Sequence, residues 1–328
     1  MKFVGSGTYL PERIRTSAEL DERFGKPAGW TEEKFGISAR HIAAPHETSS
    51  YMGAKAAEAA ITEAGWDKGA FDVLIGACAV MEQPIPSTSI LIQNSLGLGR
   101  SGISAFDINQ TCLSFLTALD VAAMGITAGR WSRVLIVSSD IASAGLDYSV
   151  PETAAIFGDG AAAICVEKVN NAEGSELLSR RFETYGYAHE LAVLRSGGTK
   201  IRVEEGFDAL LAGSKFEMDA FGIFKAAARH LPKIIDGVLE EAKLDRTTVD
   251  FILCHQASAP GVAHIKKLFR DRPERVINIF STHGNQIAAS LPSVLASARA
   301  AGHLTSGKTI LLLGTAAGIS AGAMVLRV

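Results

Sequence analysis

The chain is 328 residues long, 47% hydrophobic and 20% charged, enough for one large or two medium domains with sizeable cores. Its formal net charge of −3 supplies no basic field for nucleic acid or an acidic membrane surface, and no apolar run approaches the length of a bilayer span. The scattered cysteines Cys78, Cys112, Cys165 and Cys254 match neither a paired metal spacing nor a disulfide framework, which points to a reducing, cytoplasmic setting and no metal.

Met1 to Pro11 passes directly into a strand-like run and a turn, without the apolar core of a signal peptide. From Ala59 to Ala79 the pattern is helix, short loop, Asp72 and a buried strand. A short strand over Ile103 to Ile108 leads to Cys112, after which Leu113, Leu116, Leu119, Ala122 and Ala123 recur at helical spacing. Cys112 is therefore expected in or just before a first helical turn, where unpaired amides and the helix dipole favour an anion and lower a thiol pKa. Taken alone, a cysteine is more often a buried structural residue. An apolar strand over Arg133 to Ser138 follows, then the turn Phe157-Gly-Asp-Gly160 and a strand to Val166, closing the first half.

The second half repeats the first. Gly237 to Ala257 again reads helix, short loop, Asp250 and buried strand, Lys308 to Leu313 is the matching third strand, and Gly318 to Val328 closes on a Gly/Ala-rich strand. Unbroken Val/Ile/Leu strands separated by helices indicate sheets covered on both faces. The expected organisation is a duplicated α/β unit, residues 1–170 carrying the cysteine and 171–328 its counterpart, joined through the polar stretch Asn170 to Ser175. Ala188 to Ser214 carries little periodic signal and is expected as linking strands and loops. In such a frame Cys112, His255 and Asn285 lie at the same ends of neighbouring strands, where sites of open α/β sheets collect. Singly, His255 reads as a core histidine, Asn285 after Gly284 as turn chemistry, and Phe157 to Gly160 as a tight turn. His41 and His283 are taken as non-catalytic.

The order Cys112, Phe157-Gly-Asp-Gly160, His255-Gln-Ala257, Gly284-Asn285-x-x-Ala-Ala-Ser290 resembles the thiolase-superfamily condensing enzymes, most closely the 3-oxoacyl-[acyl-carrier-protein] synthase III branch. Gly36-Ile-Ser-Ala-Arg-His-Ile42, Pro86-Ser-Thr88 and Ala316-Ala-Gly-Ile-Ser-Ala-Gly-Ala323 extend the likeness over essentially the whole chain. The resemblance implies a thiolase-like duplicated αβαβα five-layer fold, a homodimer, and Cys112, His255 and Asn285 as catalytic residues. It further implies an oxyanion hole from the backbone amides of Cys112 and Ala317, with Trp30, Lys34, Ile85 and Phe157 as substrate-binding residues.

On that resemblance the chain is an acyltransferase without a cofactor, its substrates being acyl thioesters of coenzyme A or of an acyl carrier protein as candidate partner. Cys112 attacks the thioester, splitting a difficult transfer into two easier steps. His255 and Asn285 then hold the enolate that a malonyl-type thioester becomes on losing carbon dioxide. The alternatives are transfer to an oxygen or nitrogen acceptor, condensation of two acyl-CoAs without decarboxylation, and a non-catalytic subunit of a heterodimer. The second would need Glu82 to reach a partner's cysteine. The segment before Pro86, with Met81 and Ile85, is expected to border the partner's acyl channel. Pro260 and Val150-Pro151-Glu152 stand where the family carries arginines, and Ser258 where it carries asparagine. These departures point to a specialised branch, away from strict carrier-protein dependence and the usual coenzyme A pose.

Overall fold

The computed structural model describes residues 1–169 and 175–328. In chain order the first half runs β1 (Lys2–Tyr9), β2 (Arg13–Thr16), α1 (Ser17–Phe24), α2 (Trp30–Phe35), β3 (Ala39–Ile42), α3 (Ser49–Ala64), β4 (Val73–Gly76) and α4 (Thr88–Ser95). It continues with β5 (Ser104–Asp107), α5 (Ser114–Thr127), β6 (Arg133–Asp140), α6 (Pro151–Ala154) and β7 (Gly160–Glu167). The second half holds β8 (Glu176–Ala188), β9 (Ala192–Val193), α7 (Phe207–Gly213), β10 (Glu217–Met218), α8 (Ala220–Glu241), β11 (Phe251–Cys254) and α9 (Ala259–Leu268). It closes with β12 (Val276–Ile277), α10 (Phe280–His283), α11 (Ser290–Ala300), β13 (Thr309–Ala316) and β14 (Gly318–Arg327).

Local signals set the helix ends. Thr16 and Glu19 form a capping box at α1, and the Thr48 side chain accepts the Tyr51 amide at the start of α3. Gly65 stops α3 in the left-handed conformation that a C-terminal cap requires.

The strands fall into two five-stranded sheets with the same wiring. The first has the order β1-β7-β6-β4-β5, and the second, read from β8, has β8-β14-β13-β11-β12. In each, the first three strands are antiparallel neighbours and the last three parallel. The duplication expected from the repeat is therefore present strand for strand. The boundary placed between residues 170 and 171 lies outside the described residues.

Both sheets are buried on two faces, as their continuous apolar strands require: every residue of β4 is buried, as is β6 from Val134 to Asp140. Helices α5 and α11 lie between the sheets in one core with residues of both, including Val134, Ile136, Leu312 and Met324. Helices α3 and α4 cover the outer face of the first sheet through Met52, Ala60 and Ile92, and α8 and α9 cover the second through Ile234, Val238 and Val262. The layers are α, β, α, β, α. Each fully buried leucine or isoleucine contributes about 1.5–3 kcal/mol, so the middle layer, served from both sides, is where the two halves are held together.

Arg299 of α11 strengthens that join: its guanidinium donates to the Phe3 and Val4 carbonyls of β1 and pairs with Glu63 at 2.9 Å. Residues 188–214, expected only as linking strands and loops, include α7, and β9 pairs with β10 outside the main sheets. Among the described residues no helix is long and apolar enough to cross a membrane.

Candidate active site

Cys112 sits on a turn built to present it. Ile108 donates to the Gly76 carbonyl as β5 ends, and the Asn109 carboxamide accepts the Thr111 amide at 2.9 Å and donates to the Ala79 carbonyl at 3.2 Å. Thr111 has φ +49, an outlier for a β-branched residue, and such strain gathers at functional sites. The Ser114 hydroxyl fastens the turn from below, accepting from the Gln110 amide and donating to the Thr111 carbonyl. Of the four cysteines Cys112 alone is not fully buried.

Helix α5 starts at Ser114 with Leu113 as its N-cap, so Cys112 lies just before the first turn as expected, but the lowered pKa expected there is opposed by burial. Burial pushes the thiol up to about 12, and the nearby Asp140 carboxylate adds to the rise. Two backbone amides, those of Cys112 and Ala317, act in the opposite sense by pointing at the sulfur. Ala317 links β13 to β14, so one half supplies the nucleophile and the other a donor beside it. The resting group is a thiol, and its activation needs a base.

His255 follows β11 and is 7% exposed, its amide donating to the Leu313 carbonyl. Burial lowers its pKa to about 4, so the resting imidazole is neutral. Its Nδ1 has no hydrogen-bond partner among the described residues. Gly314 lets it approach the cysteine's turn: a Cβ there would lie 3.0 Å from the His255 Cβ and 3.1 Å from Leu113 Cδ2.

Asn285 follows α10 after Gly284, whose φ is +67. The Phe157 turn grips it, because the Asn285 amide donates to Ile156 and its carbonyl accepts from Gly158. Its side-chain oxygen accepts the Ile287 amide at 2.9 Å, while Nδ2 donates to the Ala257 carbonyl at 3.3 Å. One of two amide hydrogens is thus placed against the His255-Gln-Ala257 run, and the other is left for a ligand.

Residues 106–186 match the family model described as 3-oxoacyl-[acyl-carrier-protein (ACP)] synthase III, and residues 239–328 match its C-terminal counterpart. The beta-ketoacyl-[acyl-carrier-protein] synthase III of Bradyrhizobium diazoefficiens is 32% identical over 327 residues, covering 99% of this chain and 97% of that protein. The chain belongs to the 3-oxoacyl-[acyl-carrier-protein] synthase III family. The Escherichia coli K12 member is 32% identical over 326 residues, 99% of each chain. Among solved structures, the Aquifex aeolicus synthase III superposes with TM-score 0.89 at 29% identity, over 100% of this chain and 99% of that one. Xanthomonas campestris OleA, at 21% identity and TM-score 0.86, covering 100% and 98%, shares the fold.

Within this family's frame the other expected residues fall in different places. Trp30 and Lys34 meet at the surface: the Lys34 ammonium lies 4.7 Å from the Trp30 ring centre, with Phe35 and Phe24 edge-on to the indole. Glu152 takes the same lysine at 2.8 Å, so this carboxylate neutralises the cation beside Trp30. Phe157 does not open on a ligand space: it is 5% exposed and packs edge-on against Phe216, supporting Asn285 through its backbone. Ile85 is 86% exposed and Met81 half-exposed, on the loop between β4 and α4. The Glu82 carboxylate accepts the Ser50 amide at 2.6 Å in the first turn of α3, a capping contact within its own chain.

Two supports escaped the sequence reading. Asp159 of the glycine turn accepts from Ala43 and Ser143, joining β3 to the Phe157 turn, and Gly160 leaves room for Gln286, whose Nε2 would lie 2.1 Å from a Cβ. Asp140, at the end of β6, lies fully buried beside Cys112. The signal for it was a carboxylate ending a buried strand, after the apolar run Val134–Val137.

Proposed function

We propose that this chain carries an acyl group on Cys112 and condenses it with a malonyl-type thioester by decarboxylative Claisen chemistry, giving a 3-oxoacyl thioester. The observation that carries the reading is the meeting of Cys112 with the Ala317 amide, beside a neutral His255 and a fixed Asn285. In the first half-reaction His255 takes the thiol proton, Cys112 sulfur bonds to the acyl carbon, and the carrier leaves as a thiol with that proton. The amides of Cys112 and Ala317 bear the oxyanion. In the second, the malonyl carbon–carboxylate bond breaks, carbon dioxide leaves, and His255 and Asn285 hold the enolate oxygen. The enolate carbon then bonds to the acyl carbon and expels the Cys112 thiolate, which takes a proton from solvent, the first having left with the carrier. Each such donor is worth about 3 kcal/mol in the transition state. No redox or metal step enters, so no cofactor is required.

The carrier is coenzyme A for the acyl group and an acyl carrier protein for the malonyl group, as the names of the relatives suggest for the second. Glu82 accepts the Ser50 amide within its own chain, and joining two acyl-CoAs would need it to serve a partner's cysteine as well. The outer edge of β5 is unpaired among the described residues, and the exposed Met81, Ile85 and Ile90 lie on the segment that precedes it. A second copy covers this face in a homodimer, which light scattering of the purified protein tests.

The deciding experiment is intact-protein mass spectrometry after incubation with a panel of acyl-CoAs, followed by malonyl-CoA or malonyl carrier protein. A mass gain on Cys112 that is discharged with release of carbon dioxide and a 3-oxo product supports condensation. An acyl-enzyme that persists with both malonyl donors overturns it. For the Trp30 surface, Glu152→Gln is expected to lower KM for acyl-CoA about two- to fivefold at unchanged kcat, the scale of a surface ion pair. An unchanged KM would remove Lys34 from the binding surface.

A further inference from the structure

Asp140 has a placement that the reaction as described does not use. It ends β6 with no exposed surface, and its carboxylate is met by backbone amides. Oδ1 accepts from Ala79 at 2.8 Å and Val80 at 2.7 Å, and Oδ2 accepts from Ala288 at 3.0 Å. Ala79 belongs to the nucleophile's surroundings, since its carbonyl takes the Asn109 carboxamide and the neighbouring Cys78 carbonyl takes the Ser114 hydroxyl. Ala288 belongs to the turn Ile287–Ala289, whose first amide is held by the Asn285 side chain. One carboxylate therefore joins the Cys112 turn of the first half to the Asn285 turn of the second.

We propose that Asp140 is a positioning residue for condensation: it fixes Asn285 relative to Cys112 across the two halves and sets a negative charge behind the sulfur. The proposal rests on the condensing reading above. Its equivalent in the second sheet is Ala316, at the end of β13, so the carboxylate is a feature of one half only. A buried carboxylate held by three amides is stiff, and displacing a polarising amide by about 1 Å costs on the order of a hundredfold in rate. The charge acts separately, opposing formation of a thiolate at Cys112. The other titratable groups in this neighbourhood are the Cys78 thiol, which also feels Asp107 and Glu82, and the neutral His255.

Asp140→Asn keeps the volume, removes the charge and leaves one acceptor oxygen in place of two. Two effects are expected. Alkylation of Cys112 by iodoacetamide, located by peptide mass spectrometry, shifts to lower pH by on the order of one unit. Malonyl-CoA decarboxylation falls about ten- to hundredfold while acyl-CoA loading of Cys112 stays within a few-fold, since loss of an orienting partner is felt by the group it orients. An unshifted alkylation profile, or equal loss in both half-reactions, overturns the proposal. Should that variant not fold, Asp140→Glu retains the charge and displaces the carboxylate by one methylene. Its alkylation profile should match the unmutated protein while decarboxylation falls; full decarboxylation there overturns the proposal. A native protein that performs neither half-reaction defeats the condensing reading instead, and alkylation then still decides the charge.

Discussion

Cys112→Ala is expected to abolish acyl-enzyme formation and to lower condensation below detection, with the fold retained. The change removes the only nucleophile at the convergence of the Cys112 and Ala317 amides, and residual catalysis by binding and oxyanion donors alone leaves a deficit of about 10⁴-fold or more. Because Cys112 is half-buried in a turn whose hydrogen bonds come from Asn109, Gln110, Thr111 and Ser114, losing its sulfur leaves the turn's own contacts in place. The check is intact mass after acyl-CoA together with thermal unfolding. Persistent acylation at full stoichiometry in the alanine variant would sink Cys112 as the nucleophile and point to another residue.

His255→Ala and Asn285→Ala are expected to lower malonyl thioester decarboxylation by about 10²–10³ each, the usual loss for one preorganised donor. The pair should not add, because both hold one oxygen; the double variant is expected within a few-fold of the worse single. Asn285→Ala should still load an acyl group, since Asn285 stands on the enolate side, whereas His255→Ala should load slowly for want of a base. Release of labelled carbon dioxide measures the first effect and intact mass the second. Full decarboxylation by Asn285→Ala would remove it from the enolate site.

The placement of the three candidate residues Cys112, His255 and Asn285 at strand ends was legible in the sequence for a physical reason. Each ends or follows a strand of a repeated unit, and identical wiring of the halves forces those ends together. Cys112 follows β5, Asn285 follows its counterpart β12, and His255 follows β11. The layers were legible too, because unbroken Val/Ile/Leu runs in β4, β6, β11 and β13 have no polar face to leave in water. Less was readable where structure depends on distant chain. Helix α7, seven residues with Phe207 and Leu211 exposed, has too little apolar periodicity to be found. The desolvation that raises the Cys112 thiol pKa was not legible, because helix position is a local property while desolvation is set by everything folded around the sulfur. The contact of the Phe157 side chain with Phe216 was likewise out of reach of the sequence, being made between distant stretches of chain.

The burial of both Asp140 and His255 sets two proton-linkage slopes against each other. His255 has a folded pKa of about 4, below its ordinary 6.5, so as pH falls between those values the unfolded chain takes up the proton first and stability declines. Asp140 has a folded pKa raised to about 7 from 3.8, so over the same range the native state holds the extra proton, and stability grows as pH falls and is lost as it rises through 7. Each slope is about 1.4 kcal/mol per pH unit, with opposite sign, and the two cancel between pH 4 and 6.5. Urea unfolding of the native protein should accordingly be level across that window as far as these groups are concerned. Asp140→Asn should unmask the histidine, with stability falling as the solution is acidified, and a variant that stayed level would show that the two groups do not oppose one another. A site that carries an uncharged imidazole for its chemistry would then owe its tolerance of mild acid to the carboxylate that joins its two halves.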